Sequence, residues 1–175
     1  VISCDRAHHG IIHTATGEVE RVDAVFPVLH GMNGEDGTIQ GLLTIAGIPC
    51  VGCNAEASAV CMDKAVTNAL ADFYGIPQAK WTAFDRHAYA ADKALLLKTA
   101  ADKLGFPIFV KPANTGSSVG VTKVCSFDEL APACEKAFEF DKKNDLEEGN
   151  DGDEIECAVL GNEEPIASVV GEIVP

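Results

Sequence analysis

The chain has 175 residues, room for one full domain or two small ones. Its 13 basic residues stand against 27 acidic ones, a net charge of −14, which argues against nucleic acid or an anionic membrane as partner. No apolar run approaches the roughly 18 residues of a membrane span, so a cytoplasmic protein is expected. The opening "VISCDRAHHG" has neither a methionine nor a signal-peptide pattern. That fits a processed chain, a fragment or an incomplete sequence.

In chain order, "VDAVFPVLHG" (22–31) reads as a strand ending in a loop. "GTIQGLLTIAG" has helical spacing, with Ile39, Leu42, Leu43 and Ala46 on one face and Gly47 as its stop. "IPCVGC" reads as a short strand, and "ASAVCMDKAVTNALADFYG" as one long helix ended by Gly75, with Pro77 beyond. This β-α-β-α order suits a parallel sheet with helices against it. After Pro77 the texture becomes α+β. "KWTAF", "PIFVKPA" and "GVTKVCS" read as antiparallel strands, and "AYAADKALLLKTAADKLG" as an amphipathic helix. A further helix follows, opened by a capping box of Ser126 and Glu129, with Pro132 expected to kink it or delay its start. "KKNDLEEGNDGDE" (142–154) holds one apolar residue, Leu146, and by composition is an exposed loop. The last stretch, "EIECAVLGNEEPIASVVGEIVP", reads as a hairpin turning at residues 162–164.

Seven cysteines, an odd number, fit reduced and mostly buried thiols. Cys50 and Cys53 form a C-x-x-C. No second ligand pair suggests zinc, and no following redox-type helix suggests a thioredoxin motif, so two core thiols in a short strand are expected.

The stretch "VKPANTGSSVG" (110–120) carries the chemistry. A strand ends on Lys111 and meets a loop with Gly116, Ser117, Ser118 and Gly120. A lysine is a compact charge suited to phosphate oxygens, and glycines let backbone N–H groups approach an anion. It is not a Walker A loop, because the lysine precedes the glycines. A hairpin loop with an exposed lysine suits the pattern equally well. Lys64 stands at a helical position, where a solvated face is the plainer reading. His30 ends an apolar strand beside three glycines, where ligands gather in open α/β sheets.

Taken together, "PVLHGMNGEDGTIQG", "GIPCVGCNAEASAVCMDK", "PIFVKPANTGSSVGV" and "DEIECAVLGN" resemble successive motifs of the D-alanine–D-alanine ligase family, ATP-grasp enzymes of cell-wall synthesis. The resemblance runs from Val22 through nearly all of the chain. It implies a partial ATP-grasp fold, α/β then α+β: the end of an N-terminal parallel α/β domain (1–60), the central ATP-grasp subdomain (61–146) and the start of the C-terminal subdomain (147–175). It implies ATP and magnesium as cofactors and D-alanine as substrate, joined through an acyl phosphate for peptidoglycan. A D-lactate or D-serine second substrate, or a non-catalytic nucleotide-binding fragment, are the alternatives, and a homodimer is compatible. By this resemblance Lys64, Lys111, Gly116 and Ser118 hold the ATP phosphates, and Glu147 and Glu154 the adenine and ribose end. Ser117 and His30 are the catalytic-site residues near the acyl phosphate and the first D-alanine. The two lysines are therefore expected to converge on one pocket. The family's magnesium ligands and covering loop follow Pro175, so no metal ligand is assigned here, and the 175 residues alone are expected not to make dipeptide. One departure stands out: the apolar strand that leads into the first adenine-site glutamate is replaced by "KKND".

Overall fold

The computed structural model describes residues 1–174; Pro175, the last residue of the expected C-terminal portion, lies outside it. The chain opens with an antiparallel hairpin that no expectation covered, β1 (Gly10–Ile12) with β2 (Val19–Arg21). The two expected parallel strands are reduced to a single parallel bridge between Val25 and Cys50. Helix α1 (Thr38–Ala46) ends at Gly47, whose φ of 74° places it in the left-handed region that glycine tolerates. Leu43 and Ala46 are fully buried and form a small core with Ile48, against which Val25 and Ile39 pack.

The expected long helix is two helices, α2 (Ala55–Met62) and α3 (Lys64–Tyr74). Asp63 breaks it. Its backbone is extended, with ψ near 101°, and its carboxylate accepts the Val66 N–H at 3.2 Å. An acceptor side chain satisfies one orphan N–H of a new helix, which costs the old one its continuity. The same device divides the next expected helix: Asp85 caps α4 (Arg86–Ala91) and Asp92 caps α5 (Lys93–Leu104).

Strands β3 (Trp81–Asp85), β4 (Ile108–Pro112) and β5 (Thr122–Val124) are where the sequence puts them. Helix α6 (Phe127–Ala137) starts on time and runs through Pro132. Glu129 accepts the N–H of Cys125 at 2.8 Å, while the Ser126 side chain makes no capping bond. The fourth strand is the correction. Residues Lys143–Glu148, expected as an exposed loop, form β6 at the interior of an antiparallel sheet ordered β3-β6-β4-β5. The strand crosses the expected domain division at 146. Asn144, Asp145 and Leu146 are fully buried. A strand paired on both edges has its backbone bonds satisfied throughout, and cross-strand partners take up its polar side chains, so composition is overridden.

Alternation sorts the sheet into two faces. Ile108, Val110, Val124 and Leu146 pack with Leu97, Leu104, Leu130 and Phe138 into the main core. Lys111, Asp145 and Glu147 occupy the opposite face. Beyond Gly149 the chain forms two nested hairpins, β7 (Glu154–Glu156) with β10 (Gly171–Ile173) and β8 (Val159–Leu160) with β9 (Ile166–Ala167), turning where expected. Their residues are exposed throughout.

The expectation of mostly buried thiols is overturned. All seven cysteines are free and only Cys134 is buried, its thiol pushed up to about 12 by desolvation. Cys50 is half-buried and Cys53 exposed, in a loop rather than a core strand. The cause is the erosion of that strand to one bridge.

Candidate functional site

The polar face of the sheet meets the first turn of α3. Lys64 is the first residue of α3, and its backbone N–H donates to Ala113 O at 3.0 Å. That bond seats the helix start on the segment after β4. The Lys64 ammonium then donates to Pro112 O at 3.1 Å and Thr115 O at 2.5 Å. Its solvated-face reading is excluded: it is part-buried and tied to the glycine-containing loop. Desolvation, then the positive charge of Lys111, holds the Lys64 pKa below its ordinary value. The two lysines are thus neighbours within one electrostatic cluster, although far apart in sequence.

Lys111 pairs with Glu147 at 2.5 Å. Directly across the ladder from Lys111 stands Asp145. Asn68, one turn after Lys64, donates to Asp145 Oδ1 at 3.3 Å and Glu147 Oε1 at 3.4 Å. Two carboxyl groups therefore share one amide and one close lysine. Desolvation, then the hydrogen bond and charge of Glu147, pushes the Asp145 carboxyl up to about 7. Burial raises Glu147 too, but hydrogen bonds from Asp145 and Lys111 outweigh it and hold that carboxylate low. Like charges this close ionise one after the other.

The loop after Lys111 rises from this cluster. Asn114 anchors it, its backbone N–H and side-chain amide both donating to Asp141 Oδ2 at 2.8 Å. Ser117 and Ser118 have φ of 50° and 57°, a left-handed backbone that costs a non-glycine residue about 1 kcal/mol each. Gly120, with φ of 75°, closes the loop where a Cβ would lie 2.7 Å from Phe140 and from Pro112. Gly116 and Ser117 line a cleft of about 610 Å³ together with His30, Met32, Asp36, Asn114, Phe140 and Asp141.

The structure so brings six of the eight expected residues to one region. Lys64, Lys111 and Glu147 form the charged floor, and His30, Gly116 and Ser117 line the cleft beside it. Ser118 is exposed outside that cleft, and Glu154 is exposed on β7. Sequence reasoning missed Asn68, Asp141 and Asp145. Asn68 was within reach, because it shares a helix face with Lys64 at i+4. Asp145 was hidden by the reading of its segment as loop.

Comparison with known proteins identifies the scaffold. Residues 70–175 match the family described as "D-ala D-ala ligase C-terminus", and residues 3–53 match "D-ala D-ala ligase N-terminus". The chain belongs to the D-alanine–D-alanine ligase family. It is 48% identical to the D-alanine–D-alanine ligase of Acetivibrio thermocellus, covering 100% of this chain and 47% of that protein. With the ligase of Caldicellulosiruptor bescii it shares 45%, over 99% of this chain and 48% of the relative. Among solved structures, the VanG D-Ala:D-Ser ligase from Enterococcus faecalis superposes with a TM-score of 0.88 at 44% identity, over 98% of this chain and 48% of that one. The D-alanine–D-alanine ligase from Coxiella burnetii gives 0.84 at 38%, over 91% and 47%. The chain spans about half the length of the curated relatives it matches. Within that span the fold is the corresponding part of the ATP-grasp ligase fold of this family.

Proposed function

We propose that this chain is the phosphate-holding half of an ATP-dependent D-alanine–D-alanine ligase of peptidoglycan synthesis, working in the cytoplasm. One observation carries the reading: the Lys64 ammonium bonds the carbonyls of the loop that follows Lys111, so two lysines from separate elements sit with one glycine-containing loop. Residues 1–60 would close the N-terminal domain. The second division, expected at 146, would fall near the end of β6, a reading supported by the pairing of that strand through Glu148.

ATP would transfer its terminal phosphoryl group to the carboxylate of the first D-alanine. The amine of the second would then displace phosphate from the acyl phosphate. Such transfer is catalysed chiefly by positioning and charge neutralisation. Lys64 and Lys111 would neutralise phosphate oxygens, with Gly116 and Ser118 offering loop donors. Glu147, at the end of β6, and Glu154 would meet the nucleoside end. His30 and Ser117 face the cleft where the first D-alanine would lie. Among the described residues no group of three or more histidine, cysteine, aspartate or glutamate side chains could hold a metal. No helix among them is long and apolar enough to cross a membrane. D-serine as second substrate is the rival reading, favoured by the similarity to the VanG ligase; the 48% identity to a D-alanine ligase favours D-alanine.

The test is calorimetric binding of a non-hydrolysable ATP analogue to the purified chain, its Lys111→Ala and its Lys64→Ala variants. Loss of a charge-assisted bond predicts affinity about ten- to a hundredfold weaker in each. Equal affinity in all three, or no saturable binding by the parent, overturns the assignment.

A further inference from the structure

Asp145 has no role in the reading above, yet it is fully buried and lies directly across the ladder from Lys111. Its family counterpart, by the resemblance, belongs to an apolar strand. One oxygen accepts from Asn68, and Oδ2 is buried without a donor among the described residues. The Glu147 carboxylate shares the Asn68 amide with it.

The groups facing Asp145 can be named element by element. From α3 come Asn68 and Lys64, from β4 Lys111, and from β6 itself Glu147. Lys143, on the same face, is engaged by Asp63 at the α3 cap, and Asp141 is held by Asn114. β3 presents only Ala83 across the ladder. With Asp145 neutral, two lysines therefore face the single charge of Glu147. Once Asp145 ionises, one unit of positive charge at the floor of the site is cancelled, beside the oxygens a phosphate would occupy.

We propose that Asp145 makes phosphate binding at this site proton-linked: the chain holds a nucleotide triphosphate with Asp145 neutral and loses affinity when it ionises. The proposal rests on the nucleotide reading and adds to it a residue that sets when the site can be filled. Desolvation together with Glu147 places the ionisation near neutrality, within the range a cell experiences. No bond is made or broken; one proton is taken up from solvent as the anion binds.

The experiment compares the chain with Asp145→Asn, which keeps the shape, and Asp145→Leu, which restores an apolar strand residue. Both are first checked for folding by circular dichroism. Binding of a non-hydrolysable ATP analogue is measured at steps between about pH 6 and about pH 8. The analogue's own phosphate titration is common to all three, so the parent-to-variant affinity ratio isolates Asp145. That ratio falls about tenfold across the range, as expected for one group titrating near the middle of it. At the alkaline end both variants bind more tightly than the parent. Calorimetry near pH 7.5 in buffers of different ionisation enthalpy shows additional proton uptake by the parent alone. A flat ratio, with binding intact in all three, overturns the linkage and leaves the nucleotide reading standing. No saturable binding by any of the three at any pH overturns both.

Discussion

On one face of the central sheet Ile108, Val110, Val124 and Leu146 pack against α5 and α6. On the other, the same strands present Lys111, Lys123, Asp145 and Glu147. β6 belongs to both: Leu146 is fully buried in apolar surroundings while Asp145, its neighbour in sequence, is fully buried among charges. That contrast explains how a strand so polar can lie inside a sheet. Its apolar contribution reduces to one side chain, Asn144 beside it bonds α6, and Lys143, Asp145 and Glu147 are tolerated because they lie on the opposite, charged face. The apolar face contributes stability; the charged face is bound to cost some.

If that division holds, the largest effect comes from the side chain that holds β6 to the core. Leu146→Ala should destabilise the chain by about 2–5 kcal/mol, the range for a fully buried leucine leaving a cavity. Urea denaturation reads it directly. A loss under 1 kcal/mol would mean that β6 is held chiefly by its backbone ladder, and the contrast between faces would fail.

The opposite sign is expected one residue earlier. Asp145 is neutral in the fold up to near pH 7 but ionises near 3.8 when unfolded. Its protonated form is therefore favoured by folding, and the folded state binds more protons between those values. The associated stability is complete below about pH 4 and is lost as pH rises to about 7. Glu147, whose carboxylate is held low, contributes in the opposite sense at acid pH, which confines a clean Asp145 signal to the upper part of the window. Asp145→Asn should thus stabilise the chain by about 1–3 kcal/mol at pH 8, and by less at pH 6. A gain that does not shrink on acidification would break the account.

How much of this was legible in the sequence follows from the same two faces. Apolar patterning found β3, β4, β5 and α1, whose apolar residues bury where they recur, and a start signal at Ser126 and Glu129 found α6. It missed β6, because "KNDLEE" places a single apolar residue in six and its partners are supplied by other strands. Helix lengths were overestimated for a local reason: Asp63 and Asp92 interrupt apolar patterns that continue past them, and a capping bond is a matter of backbone geometry. The site was legible by motif, since Lys64, Lys111 and the loop each carry recognisable neighbours. The shared face of Asp145 and Glu147 was not, because it exists only if their segment is a strand, and composition reads it as a loop.

A smaller test lies on the core face of β6. Asn144 donates to Cys134 O at 3.0 Å, but its Oδ1 is buried without a partner among the described residues. That carbonyl also receives the N–H of Phe138 at 3.0 Å, so removing the amide does not orphan it. Asn144→Val replaces a half-satisfied polar group by an apolar one and should add about 1 kcal/mol, equally at pH 6 and pH 8. PH-independence separates this gain from that of Asp145→Asn. A loss of stability would show that the Asn144 bond to α6 outweighs the burial of its free oxygen.

The smallest effect, that of Lys123, is best read beside its neighbour on β5. Val124 is fully buried in the core, while Lys123 lies on the other face with its ammonium 5.8 Å from the Phe109 ring centroid. Both belong to one three-residue edge strand and share its backbone bonds. The backbone pairing is common to both, so their difference reports the side chains: burial and strand propensity for Val124, an exposed contact for Lys123. Val124→Ala deletes buried methyl groups and should cost about 2 kcal/mol. Lys123→Ala removes an exposed cation–π contact and should cost no more than about 0.5–1 kcal/mol, with sensitivity to salt. Denaturation of the two variants side by side, at low and high ionic strength, gives the comparison. Equal costs would mean that β5 is a structural edge whose faces do not differ, and that the charged character of the sheet's second face ends at β4.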